Sequence, residues 1–585
     1  MEKWFLKNRK GDREGLVSAY GISPILAQIL INRDVRDVEK AGQYLKDDAS
    51  GLHDPALLPD CGKAADILRV KIAEQKRIRI IGDYDCDGIC ATYILKRCLS
   101  EMGAVVDERL PHRILDGYGL NIRLIEEALE DGVDTILTCD NGIAAAQEIA
   151  FAKEKGMTVI VTDHHEVPFT EEEGLKREVL PPADAVVDMK RFDSLYPFQG
   201  ICGAVTAWKL CQLLLGREHP LIAEMTVYAA LATVCDVMDL VDENRVILKQ
   251  GLKRINSKPP VGLKALIVAY ELYNKKISAY HLGFLIGPCL NATGRLESAQ
   301  MALDLLDMQD EQQAYVYAHK LKELNEQRKE MTRTGSEEAI RKLQESSSDG
   351  NYDKVLVQYL PDCHESVAGI IAGRVREACH RPTIIFTKAQ EGVKGSGRSM
   401  ECYDMFKELS ACKDLFTKFG GHKMAAGISM DSEEKIVELR RRLNEQCTLT
   451  EDDFRERVLI DLALPLSSTS LALAKELEKM EPCGVANPRP LFAERNLVLT
   501  GGSFMGQKGN AAKYTMKSRD GLLHQVVFFG DLKPFHDFLD EKFGAGSSKR
   551  LYTHTCSYPI HMVYQLQANR YQMRESLQIV MKYFC

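Results

Sequence analysis

Short runs of consecutive apolar residues alternate with longer stretches of helical periodicity over the first half of the chain. Residues 77–82, 135–138 and 158–162 are apolar runs of strand length, and each ends at a polar or glycine-containing turn. Amphipathic segments such as 89–102 lie between them. Strands alternating with helices predict an α/β domain built on a mainly parallel sheet. The first fifty or so residues read as helical and carry no chemical motif. The heavily charged stretch 311–349 keeps a helical period and ends in Ser346-Ser347-Ser348, which predicts a long connecting helix with a solvated face, then a linker. A second α/β unit begins at Lys354-Val355-Leu356-Val357 and runs to about Cys447. Beyond it, strand-like runs at 458–462, 525–529 and 552–554 alternate with Gly, Asn and Asp turns, which suits a small β-barrel of the OB type.

This pattern gives an α/β multidomain chain. Residues 1–55 form a helical segment, 56–250 the parallel-sheet domain, 251–349 a connecting helical region, 350–450 a smaller α/β domain, and 451–585 the OB-type barrel. A length of 585 residues agrees with several domains. The composition, 45% hydrophobic and 27% charged, is that of a globular protein and excludes a disordered or fibrous chain. The apolar stretches fall short of the roughly 18 residues of a membrane span, and the N-terminus lacks the features of a signal peptide. The 17 cysteines contain no Cys-x-x-Cys pair, which argues against a disulfide framework or a zinc ribbon and for free thiols in a reduced, cytoplasmic protein.

The chemistry gathers where the apolar runs stop. Asp83, Asp85 and Asp87 follow the first run, Asp140 the second, and Asp163-His164-His165 the third, while Cys235-Asp236 ends a later helical segment. Each has a plainer reading alone: a phosphate-binding turn, a turn aspartate before Asn141-Gly142, a structural histidine pair, a helix cap. Together they fall at element ends within one α/β unit, where an open sheet places its ligands. Clustered carboxylates repel and raise one another's pKa values, and a divalent cation relieves that repulsion. Mixed carboxylate and imidazole ligands suit Mn²⁺, whereas carboxylate and water suit Mg²⁺. Two ions about 3.5–4 Å apart, bridged by one carboxylate, would clamp a phosphate and activate a water.

Two glycine-rich segments, Gly395-Ser396-Gly397-Arg398 and Gly420-Gly421-His422-Lys423, let backbone amides and a cation approach a phosphate together. Neither matches the Gly-x-x-x-x-Gly-Lys pattern, so ATP use is not expected. The net charge of −8 does not favour a general nucleic-acid binder, but an acidic metal site would bias the total while a local basic groove still bound phosphate.

The ordered set Asp83-Tyr84-Asp85-Cys86-Asp87-Gly88, Asp140-Asn141-Gly142, Asp163-His164-His165 and Asp236 resembles the motifs of the DHH phosphoesterases. Asn291-Ala292-Thr293-Gly294-Arg295, the two glycine-rich segments and Cys483-Gly484-Val485-Ala486-Asn487-Pro488 look like those of the family's exonucleases specific for single-stranded DNA. The resemblance runs through nearly the whole chain from about residue 50. It implies a DHH domain and a smaller DHH-associated α/β domain joined by a long helix, with a C-terminal OB-type barrel. It also implies 5′ to 3′ release of mononucleotides in DNA recombination and repair, with two Mn²⁺ or Mg²⁺ ions. Asp85 would hold the first ion and Asp87 the second, with Asp140 bridging and His164 and Asp236 completing the second. Asp163 would orient the imidazoles, and His165 would sit by the scissile phosphate. Asn291, Arg295, Arg374, Ser396, Arg398 and His422 would form a 5′-phosphate pocket. In the barrel, Tyr514, Phe528 and Tyr564 stand as base stackers or as core. A single-strand-binding protein and a helicase are implied as partners of a cytoplasmic monomer that makes no contact with membranes.

Two positions depart from the family's pattern. Ile81 stands where some members have a ligating histidine, so Asp83 is a candidate ligand in its place. Cys289 stands where the exonucleases commonly carry arginine, which puts one phosphate contact in doubt. Two other readings are an oligonucleotide or cyclic-dinucleotide phosphodiesterase, relatives of which usually lack the barrel, and a scaffold with a dead site, relatives of which lose several ligands.

Overall fold

The structure is a computed structural model that describes residues 2–46, 49–172, 175–346, 352–506, 510–571 and 574–585. The chain forms two compact units, one of residues 51–454 and one of residues 1–50 with 455–585.

The larger unit contains a five-stranded parallel sheet in the spatial order Val105–Arg109, Arg77–Ile81, Thr135–Cys139, Thr158–Thr162, Ala185–Val187. Its central strands send apolar side chains to both faces because both faces are covered. Ile78, Ile80, Leu137 and Ile160 face a core shared with the helices Cys86–Glu101 and Gly203–Leu215. Ile81, Ile136, Val159 and Val161 face a second core under the helices Ile122–Glu130 and Ala146–Glu154. Ile81 therefore lies in apolar packing, fully buried. One charge is buried within the sheet: Arg79 is paired with Asp107 at 2.8 Å and Asp131 at 2.7 Å.

The first helix starts earlier than its apolar period predicts, at Cys86, because Asp85 caps it. Its carboxylate accepts from the N–H groups of Asp87 and Gly88 at 3.0 and 3.1 Å. Further helices lead to Glu311–Ser346, 36 residues long and about 54 Å at 1.5 Å per residue. The linker residues Ser347 and Ser348 lie outside the described residues. A mixed five-stranded sheet follows, ordered Lys418–His422, Ala425–Met430, Val393–Arg398, Thr383–Lys388, Leu356–Tyr359, with the helix Ala368–Cys379 against it.

The smaller unit is a six-stranded sheet in which Phe492–Met505 pairs both with Ala511–Lys517 and with Tyr558–Tyr571, closing a barrel. The N-terminal segment belongs to this unit and is not wholly helical. Lys3–Leu6 pairs in parallel with Arg457–Ile460, and Leu16, Leu26 and Ile29 share the barrel's core. The run 552–554, expected as a strand, instead ends the helix Ser547–Thr553, whose Leu551 fills the barrel core. Tyr514 and Tyr564 are fully buried, with the Tyr564 hydroxyl donating to Leu464 O at 2.7 Å, and Phe528 packs against the same core. They are core residues and not base stackers; among the described residues the exposed Phe side chains of the barrel are Phe504, stacked on Tyr552, and Phe529. Among the described residues no helix is long and apolar enough to cross a membrane.

Candidate metal centre and phosphate cleft

The C-terminal ends of the parallel strands bring the predicted acidic groups together. Ligand atoms of Asp83, Asp85 and Asp140 lie within 4.8 Å of one another, and so do those of Asp87, His164 and Asp236. Asp140 joins the two groups: its Oδ1 is 3.0 Å from His164 Nε2, which is also 3.6 Å from Asp87 Oδ2 and 3.7 Å from Asp236 Oδ2.

Backbone geometry places the ligands. Asp87 accepts from the N–H groups of Gly203 and Ala204 at 2.7 and 2.8 Å, at the start of the helix Gly203–Leu215. Asp140 sits in the left-handed region at φ 60°, a conformation aspartate tolerates better than most residues. Asn141 holds the turn by donating to Ile81 O and Cys139 O. Gly88 lets the first helix pass the Asp83 turn, since a Cβ there would lie 2.6 Å from Asp83 N. Asp236 ends the helix Pro220–Cys235 as its C-cap.

The electrostatics are those of a cation site. Burial, then the neighbouring carboxylates, push Asp83 and Asp140 well above the ordinary carboxylate range, and Asp236 to about 8. Burial holds His164 below its usual value, in the neutral form that ligates metal. Asp83 Oδ1 is buried without a hydrogen-bond partner, and Asp140 Oδ1 is buried with only the His164 ring nitrogen beside it. Unpaired, mutually repelling carboxylates beside a neutral imidazole fit two divalent cations of the Mn²⁺ or Mg²⁺ class.

Asp163 differs from the others. It accepts from Ile143 N–H at 2.9 Å, His164 N–H at 2.7 Å, and His165 through its N–H at 3.2 Å and its Nδ1 at 2.7 Å. Burial would raise its pKa, but the His165 hydrogen bond and the nearby imidazoles outweigh that and hold it below the usual value. Asp163 is thus saturated: it fixes the His165 ring through Nδ1 and the backbone at His164. Tyr118, which sequence reasoning missed, donates to Asp140 O at 2.7 Å and lies 3.2 Å from either ring nitrogen of His165.

The predicted phosphate residues divide. Arg295 donates to Ser366 O at 2.7 Å, and burial together with the charges of Arg113 and Arg328 pulls its pKa down to about 9. Arg398 donates to Gly397 O and is likewise lowered by burial, then by Arg376 and Arg113. Among the described residues neither guanidinium forms an ion pair with a carboxylate, a setting suited to an anion. Ser396 lines a cleft of about 430 Å³, with Tyr84, Arg113, Ser366 and Phe419 also in its walls. His422 ends its strand within electrostatic reach of Arg398 and His165. Asn291 Oδ1 accepts from Cys86 N–H at 2.7 Å and so supports the metal-site helix. Arg374 is exposed on its helix, its charge acting on Arg328. Cys289 is buried in the core, away from any phosphate role. Arg113 and Arg328 gave no sequence signal. Arg113 lies in a loop without a motif, packed 3.8 Å over the Tyr84 ring, and Arg328 looks like any solvated cation of a charged helix.

Fold and site together define a DHH-type protein. The family model described as DHH family, N-terminal domain, matches residues 77–234, the DHHA1 domain matches 352–449, and the RecJ OB domain matches 460–583. The single-stranded-DNA-specific exonuclease RecJ of Haemophilus influenzae is 30% identical over 584 residues, covering 96% of each chain. That of Bacillus subtilis is 33% identical over 531 residues, 90% of this chain and 66% of the relative's length. The crystal structure of RecJ in complex with Mn²⁺ from Thermus thermophilus superposes with a TM-score of 0.80 at 27% identity, covering 100% of this chain and 79% of that one. The chain belongs to the RecJ family.

Proposed function

We propose that the protein is a metal-dependent exonuclease that degrades single-stranded DNA from its 5′ end and releases 5′-mononucleotides. The observation that carries this reading is the place of Asp140, shared between two ligand groups at one sheet edge. In this reading Asp83, Asp85 and Asp140 hold one ion, and Asp140, Asp87, His164 and Asp236 the other. Bound Mn²⁺ or Mg²⁺ would supply Lewis-acid stabilisation of the phosphodiester and a nucleophilic water at neutral pH. RecJ of Thermus thermophilus has been crystallised with each of the two ions, which supports this assignment.

The remaining roles fall to the chain's own groups. Asp163 fixes the His165 ring through Nδ1, so that a phosphate oxygen can meet the other nitrogen. Arg295, Arg398, Ser396 and His422 receive the terminal 5′-phosphate, with Arg113 and Arg328 adding positive charge. Asn291 holds the Asp85–Asp87 turn, and Arg374 contributes only distant charge. Residues 56–250 would carry the metals, 350–450 the far wall of the phosphate cleft, and 451–585 the barrel that tracks single strands. The curated relatives' descriptions support single-stranded DNA as substrate, and work in recombination and repair in the cytoplasm, as a monomer alongside a single-strand-binding protein and a helicase, follows from the family resemblance.

Digestion of single- and double-stranded DNA labelled at either end, with Mn²⁺ or Mg²⁺, tests the reading. Mononucleotides released from the 5′ end of single strands only are expected. Release from the 3′ end, or equal release from duplex, would refute it.

A further inference from the structure

The phosphate cleft extends past the residues given to the terminal phosphate. Part of its lining is the open face of the mixed sheet, and strand register orders that face into three rows. Arg398 pairs with Ala425, which pairs with His422. Ser396 pairs with Gly427, which pairs with Gly420. Lys394 pairs with Ser429, which pairs with Lys418. Alternate residues of a strand share a face, so each row lies about 6.8 Å beyond the last. The first two rows hold Arg398, His422 and Ser396, already placed at the terminal phosphate. The third has no role there, yet Lys394, Ser429 and Lys418 line the same cleft of about 430 Å³.

Contacts with the neighbouring wall give the rows their order along the cleft. A Cβ at Gly369 would lie 2.8 Å from Arg398 Nη2 and 3.0 Å from Ser396 Oγ, so both groups close on the first turn of the helix Ala368–Cys379. Just before that helix, Glu365 Oε2 meets Lys394 Nζ at 2.8 Å. Wall and strand thus run side by side, with Arg398 at one end and Lys394 at the other. His422, in the Arg398 row, is within electrostatic reach of His165, so the lysine row lies on the side of the terminal phosphate away from that histidine. The floor between is open: among the described residues nothing lies within 4 Å of where a Cβ would stand at Gly420 or Gly427. The cleft's charged lining residues are Lys394, Lys418 and Arg113 against Glu365, a cationic balance. Lys394 is 45% exposed, so its pair with Glu365 contributes little and an anion can replace it at small cost.

We propose that Lys394, Ser429 and Lys418 form a second anion subsite, which takes the outer phosphates of a strand whose 5′ end carries a triphosphate. This rests on the 5′-exonuclease reading above. The innermost phosphate stays at Ser396 and Arg398, and the outer two pass the bare Gly427 and Gly420 to reach the lysines. Water then attacks the phosphorus of the first internucleotide linkage. The bond from that phosphorus to the 3′ oxygen breaks, and the oxygen leaves with a proton as a 3′-hydroxyl. The products are a nucleoside 5′-triphosphate and a shortened strand with a 5′-monophosphate, ready for the next turnover.

The test uses the full chain with Mn²⁺ and a single-stranded oligodeoxynucleotide that ends in either a 5′-monophosphate or a 5′-triphosphate. The wild type should release the first nucleotide of the triphosphate strand as a nucleoside triphosphate, with KM no higher than for the monophosphate strand. Lys394→Ala combined with Lys418→Ala should raise KM for the triphosphate strand roughly ten-fold, the scale of a lost charge-assisted hydrogen bond. The monophosphate strand should change less than about two-fold, and Lys418→Arg should behave as the wild type. A double variant whose loss is equal on both strands, or absent, overturns the subsite. So does a wild type that digests the monophosphate strand and leaves the triphosphate strand intact. A wild type that digests neither overturns the exonuclease reading and the subsite with it.

Discussion

Gly203 and Asp140 touch across the metal centre: a Cβ at Gly203 would lie 2.6 Å from Asp140 Cβ and 2.8 Å from its Oδ1. The same glycine donates its N–H to Asp87 Oδ2. One residue without a side chain thus sets the approach of a ligand in the first turn of a helix and a ligand at a strand end.

Gly203→Ala should therefore push Asp140 out of place while the helix Gly203–Leu215 still forms. Misplacing a reacting group by about 1 Å costs on the order of 100-fold in rate. Nucleotide release should fall by about that factor, and a Mn²⁺ titration should show weaker activation. Activity within two-fold of the wild type would mean that Asp140 does not need this gap.

Asp140→Asn keeps the left-handed backbone, which asparagine adopts readily, and removes the shared charge. Losing several kcal/mol of charge stabilisation should lower nucleotide release roughly a thousand-fold. Without metal, the variant should melt at a higher temperature than the wild type, because one of the repelling carboxylates is gone. Added Mn²⁺ should raise the wild-type Tm well beyond that of the variant. Equal metal-induced shifts in both proteins would contradict a bridging role.

Arg398→Ala should raise KM for 5′-phosphorylated strands about ten-fold, the loss expected of one charge-assisted contact, and leave 5′-hydroxyl strands nearly unaffected. Steady-state kinetics on the two substrates would check it. An equal loss on both would remove Arg398 from the terminal-phosphate pocket.

The acid sensitivity of the sheet can be read at Asp107. Burial pushes its carboxyl up, but hydrogen bonds from Arg79 and Arg77 prevail and hold it below the ordinary value. Such a group stabilises the fold above its unfolded pKa, near 4, and that contribution is lost as pH falls through the folded value. Asp107→Asn should cost about 2 kcal/mol at pH 7, since the buried Arg79 keeps only part of its partners. Denaturant melts from pH 7 to pH 3 should show the gap narrowing toward low pH; a constant gap would assign the loss to packing.

The barrel and the N-terminal segment mark where local pattern fails. By sequence Tyr514 and Tyr564 are candidate base stackers for which the core reading is favoured, and barrel closure puts both inside. Lys3–Leu6 looked like part of a helical segment because a single short strand has no period until it finds its partner, here Arg457–Ile460, far along the chain.

The sequence by itself determined the three central strands of the parallel sheet, the aspartates and histidines at their ends, and the order of motifs that marks the family. Those are local properties: apolar runs, turn residues and caps act over a few neighbouring positions. It could not say that Ile81 faces a core, that Asn291 supports a helix, or that Gly203 and Tyr118 border the metal ligands. Sheet order and helix packing decided those, because they bring together groups a hundred or more residues apart through burial and long-range hydrogen bonds that leave no periodic trace in the chain.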